Sequence, residues 1–98
     1  MELTGRQRRH LRALAHHKDP VVFVGKAGLT DAVHDKVDEE LEIHELIKVK
    51  VLQEAPTDVK EAGAVLAERA GAHLAQTVGH IALLYRRRKD KPAIRLPE

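Results

Sequence analysis

The stretch Pro20 to Thr30, PVVFVGKAGLT, constrains the fold more than any other part of the chain. Asp19-Pro20 breaks any preceding helix, and Val21, Val22, Phe23 and Val24 then form an all-apolar run. Such a run reads as a short strand, either covered on both sides or central in a sheet. It ends at Gly25. Beyond the second glycine, Thr30 is a good N-cap, Asp31 suits the positive end of a helix, and Val33, Val37 and Leu41 repeat at i, i+4 and i+8. A strand that passes directly into a helix calls for a crossover to a further strand, which puts the chain in the α/β class.

The remaining elements follow from their periodicity. Thr4 and Gln7 have the spacing of a capping box and open a helix to about His17. At 100° per residue this helix places Leu3, Gln7, His10, Leu11 and Leu14 on one side and Arg6, Arg8, Arg9, Arg12 and His16 on the other. HELIKVKVL alternates as a half-buried strand, with Ile47, Val49 and Val51 on one face and Leu46, Lys48, Lys50 and Leu52 on the other. Pro56-Thr57-Asp58 starts a third helix with Val59, Ala62, Gly63, Leu66 and Ala70 at packing positions and Gly71 as its stop. AHLAQTVGHIALLYR reads as two strands joined at Gly79-His80 by a type II′ turn. The order is α-β-α-β-α-β-β.

A chain of 98 residues suits one domain and buries roughly two thirds of its unfolded surface. The expectation is therefore a single compact α/β domain over residues 1–98, with a mixed four-stranded sheet and about three helices, these largely on one face. The other face stays comparatively open. From about residue 87 the tail is basic, contains two prolines and is expected to be loosely ordered in part.

The net charge of +2 is too small to identify a partner, but its distribution is uneven. Arginines and lysines gather at both ends, and most acids lie between Asp31 and Glu68. Asp31, Asp35, Asp38 and Glu42 line one face of the second helix, which could dock a basic protein; a protein-interaction adaptor is thus the competing reading. No serine or cysteine is present to act as a nucleophile, and the seven histidines fall into no metal-ligand spacing. The chain is expected to be no enzyme and to carry no metal or cofactor. No apolar stretch approaches the roughly 20 residues that span a bilayer, and a cytoplasmic, membrane-free monomer is expected.

The loop Gly25-Lys26-Ala27-Gly28 offers a different chemistry. A Gly-x-x-Gly turn before a helix bares backbone N–H groups where the helix dipole favours an anion, and Lys26 adds a full charge. KH domains clamp nucleotide backbone with a GXXG loop in the same spirit. A Walker loop is excluded because the lysine precedes the second glycine, and a dinucleotide fingerprint lacks its third glycine.

PVVFVGKAGLT, HELIKVKV and the closing GHIALLYR, preceded by LRALAH at residues 11 to 16, together resemble the CRM domain in its small bacterial YhbY form. That resemblance implies a fold similar to the C-terminal domain of translation initiation factor three. It also implies RNA binding and association with precursors of the large ribosomal subunit. On it, Gly25, Lys26, Ala27 and Gly28 become the RNA-contacting loop. Arg6, Arg9, Lys48, Lys50, Arg86, Arg87 and Arg88 are the further residues expected to supply a basic surface. With only Phe23 and Tyr85 as aromatics, and Phe23 in a buried-looking strand, recognition is expected to rest on phosphates and RNA shape.

Overall fold

The computed structural model describes residues 2–98. Its elements are α1 (Gly5–Ala15), β1 (Pro20–Val24), α2 (Asp31–His44), β2 (Leu46–Val51), α3 (Val59–Ala70), β3 (His73–Val78) and β4 (Ile81–Tyr85), in the expected order. Each helix starts on the residue its sequence marks. Thr4 Oγ1 accepts from the Gln7 N–H at 3.1 Å while Gln7 Oε1 accepts from the Thr4 N–H at 3.0 Å, a complete capping box. Thr30 and Asp58 cap α2 and α3 by accepting from Val33 and Glu61. Gly71 ends α3 in the left-handed conformation. In the β3–β4 turn Gly79 takes φ +56° and His80 stays out of the positive region, the sign pattern of a type II′ hairpin.

The four strands run in the spatial order β1-β2-β4-β3, with β1 parallel to β2 and the other neighbours antiparallel. β1 is thus an edge strand, against the expectation of a central or doubly covered one. Val22 and Val24 point into the core between the sheet and helices α2 and α3. Phe23, alternating with them, points the other way and is 53% exposed. An unbroken apolar run does not require two covered faces; here one of its residues faces solvent.

Both sheet faces carry a hydrophobic layer. On one, Val37, Leu41, Ala62 and Leu66 of α2 and α3 close over Val24, Ile47, Val49, Val51 and Leu84. Gly63 brings α3 close, since a Cβ there would lie 2.9 Å from Leu74 Cδ1 and 3.2 Å from Ala82 Cβ. On the other face, expected to be open, Leu11 and Ala15 of α1 cover Leu46, Ala75, Leu83 and Tyr85. The buried stripe of α1 is narrower than its periodicity suggests, and Leu14 is exposed. Arg8, expected to face outward, turns back to donate to the carbonyl oxygens of Leu74 and Ala75 at 2.9 and 3.0 Å. Both carbonyls lie where the register of β3, an edge strand, is irregular between Leu74 and Gln76.

The tail, expected to be loose in part, is tied to the second layer. Ile94 and Leu96 pack against it, and Gln7 Nε2 donates to the Pro97 carbonyl at 3.0 Å. Glu45, fully buried at the α2–β2 junction with φ +63°, is the anchor. Its carboxylate accepts the backbone N–H groups of Arg88, Ala93 and Ile94 at 2.8, 2.7 and 2.9 Å. Burial works to raise its pKa, but these three hydrogen bonds and the Arg88 charge prevail and hold it below the usual glutamate value.

Candidate functional site

Val24 delivers the chain into the glycine loop at one end of the sheet. Gly28 N–H donates to the Gly25 carbonyl at 2.9 Å, closing a four-residue turn with Lys26 and Ala27 exposed at its tip. The two glycines serve different purposes. Gly28 sits at φ +76°, and a Cβ there would also come within 3.0 Å of Pro56 Cγ. Gly25 has no positive φ, and its Cβ would meet only Leu52 Cδ1 at an ordinary 3.8 Å. The fold therefore requires glycine at 28 but not at 25.

Beyond the turn, Thr30 occupies two donors of α2. Its hydroxyl accepts from Val33 at 3.2 Å and its carbonyl from His34 at 3.1 Å, leaving the N–H groups of Asp31 and Ala32 without an intrahelical partner. Asp31 adds negative charge there, but its carboxylate is paired with Arg69 at 3.2 Å. Arg69 also disfavours a second positive charge on nearby His34, whose pKa is lowered first by burial and then by that guanidinium.

The strand register separates the expected basic residues into groups. Lys48 and Lys50 lie on the α1 side of β2, opposite Leu83 and Ile81 of β4. Lys50 also pairs with Phe23 of β1, so it shares the loop's end of the sheet. A cleft of about 250 Å³ between α1 and the sheet brings Lys48 together with Arg12, His16, Gln76 and Ile81. Arg6 and Arg9 are exposed along α1. None of Arg6, Arg9, Arg12, Lys26, Lys48 and Lys50 has a carboxylate partner among the described residues.

The C-terminal arginines are elsewhere. Tyr85 pairs with Leu46 at the start of β2, whereas Val24 pairs with Val51 at its end, so Arg86 leaves the sheet about 17 Å of strand from the loop. Arg86 is engaged on all sides. Its guanidinium donates to Asp38 Oδ1 at 2.6 Å, Glu42 Oε2 at 3.3 Å, the Asp38 carbonyl at 3.1 Å and the Ala70 carbonyl at 2.9 Å. Arg88 donates to the carbonyls of Ile43 and Lys91 at 2.7 and 3.0 Å. Arg87 alone of the three is exposed.

These contacts also use much of the acidic face of α2. Asp31, Asp38 and Glu42 hold arginines, and Glu40 lies 3.8 Å from both Lys36 and His44, leaving Asp35 and Glu39 as the carboxylates of α2 without an ion pair among the described residues. No group of three or more His, Asp or Glu side chains is arranged to hold a metal, and no helix is long and apolar enough to cross a membrane, among the described residues. Three features were not singled out in the sequence: exposed Phe23, and Arg12 with His16 beside Lys48. No local signal marks Phe23, which stands in an unbroken apolar run, and Arg12 and His16 share the outer side expected of α1 with arginines that do not line the cleft.

The chain is 41% identical to a Bacillus subtilis protein named "Probable RNA-binding protein YqeI", over 97% of this chain and 99% of that protein. It is also 41% identical to a Haemophilus influenzae protein named "RNA-binding protein", over 97% of this chain and 95% of that one. The solution structure of SAV1595 from Staphylococcus aureus superimposes with a TM-score of 0.82 at 42% identity, covering 97% of this chain and 99% of that one. The family model described as the CRS1 / YhbY (CRM) domain matches residues 3–86, from the α1 N-terminus through Arg86, and so takes in the glycine loop, both sheet lysines and the whole α/β frame. By sequence and by architecture, the chain belongs to the CRS1 / YhbY (CRM) domain family.

Proposed function

We propose that this protein binds RNA, gripping its backbone with the Gly25–Gly28 loop and the cationic groups on the same side of the sheet. The observation that carries the reading is the inequality of the two glycines: Gly25 is free to bear a side chain as far as the fold is concerned. Glycine at this position leaves room for a phosphate to approach the backbone, with Lys26 at the tip to neutralise it. Lys48, Lys50, Arg12, Arg6 and Arg9 extend the cationic surface, whereas Arg86 and Arg88 are occupied by the fold itself. Relatives named as RNA-binding proteins support the same partner.

The RNA is large-subunit ribosomal RNA or its precursor particle, bound by a cytoplasmic monomer; the family resemblance supports this finer reading. Lys26→Glu is expected to weaken RNA binding by about tenfold or more and to leave the melting temperature unchanged, because an exposed loop charge contributes little to folding. Unchanged affinity in that variant would make the loop a structural turn only. If about six phosphates are neutralised, the logarithm of affinity falls against that of salt with a slope of about −4 to −5. Crosslinking in cells, followed by sequencing of the attached RNA, tests the target. Reads concentrated in large-subunit ribosomal RNA are expected, and a spread over messenger or transfer RNA would redirect it.

A further inference from the structure

The sheet face beyond the reach of α1 is not a simple cationic surface. Across the four strands, the register aligns Phe23, Lys50, Ile81 and Val78 in one row. Phe23 is 53% and Val78 60% exposed, while Val22 and Val24 on either side of Phe23 are buried in the opposite layer. The next row holds Lys48, beside Arg12 and His16, and no acidic residue lines that cleft. Val24 alone separates Phe23 from the glycine loop.

An exposed phenylalanine ring with a lysine beside it on the adjacent parallel strand, about 4.8 Å across the ladder, offers two complementary contacts. The ring presents a flat apolar face, and the lysine a charge beside it. Bases inside a duplex are already stacked and cannot use the ring; an unpaired base can. We propose that this row is a stacking platform for unpaired RNA, with one base on Phe23 and the adjoining phosphate on Lys50, continuous with the backbone grip of the glycine loop. The platform rests on the RNA-binding reading and adds to it a preference for single-stranded segments. A second copy of the chain fits less well, since pairing this face with itself brings Lys50 and Lys48 against like charges.

The test uses fluorescence anisotropy with a labelled unstructured 12-nucleotide RNA and a blunt 12-base-pair RNA duplex. Phe23→Ala is expected to weaken single-strand binding about 5- to 100-fold, the range for one stacked base, and to leave duplex binding unchanged. Phe23→Trp should restore the affinity. Because the protein has no other tryptophan, its fluorescence should be quenched by the single strand and not by the duplex. Single-strand affinity unaltered by Phe23→Ala, or equal weakening for both RNAs, would overturn the platform. So would a wild-type dimer in sedimentation that Phe23→Ala dissolves. Lys26→Glu separates the two readings: lost binding there with an inert Phe23→Ala leaves the loop and removes the platform, and the reverse leaves the platform and removes the loop.

Discussion

Gly25 and Gly28 look equivalent in GKAG, and at the residue scale they are not. Gly28→Ala forces a side chain into φ +76° and against Pro56, and is expected to destabilise the fold by about 1–2 kcal/mol in a denaturant melt. Gly25→Ala is expected to change stability by less than about 0.5 kcal/mol while weakening RNA binding, as its Cβ meets only an ordinary contact. A variant pair behaving the other way round would contradict the division. The motif was legible in the sequence, but not this inequality, because the sign of φ depends on how the turn closes. The exposure of Phe23 is hidden for a related reason: its four-residue apolar run carries no alternation, and only the strand order shows that the helix on the far face stops short of it.

Among elements, Arg86 is the clearest case of a charge whose role the sequence could not disclose. It stands in a run of three arginines, yet its guanidinium joins β4 to the side of α2 and the end of α3. Arg86→Ala is expected to lower stability by about 1.5–3 kcal/mol, the scale of hydrogen bonds to charged groups, without altering RNA affinity of the folded protein. Arg87→Ala should leave stability unchanged. Both follow from paired thermal melts and RNA titrations. Helix boundaries and caps were readable because they rest on local chemistry within three or four residues. The reach of Arg8 to the β3 carbonyls, and of Arg86 to α2, depends on partners 66 and 48 residues away, for which the chain carries no local sign.

For the whole molecule, the sheet is a partition between two layers, and Glu45 fastens the second. Its folded-state pKa is depressed, so its contribution is full above the usual glutamate range and is lost as pH falls through that range and below it. Protection of the Ala93 and Ile94 amides from hydrogen exchange, taken relative to the intrinsic rate at each pH, should fall on acidification before protection in β2 does. In Glu45→Gln the same amides should be weakly protected already at neutral pH, with little further loss of protection on acidification. The α-β-α-β-α-β-β order was plain in the sequence; that the last dozen residues complete a layer was not, because a basic, proline-containing segment looks the same whether free or docked. The layering has an optical consequence. Tyr85, the only tyrosine in a chain without tryptophan, lies buried in the second layer with its ring stacked on His73 at 6.2 Å between centroids. Near-ultraviolet circular dichroism thus reports almost entirely on the α1 and tail side, and a melt followed there would register detachment of that layer while the α2–α3 side remained spectroscopically dark.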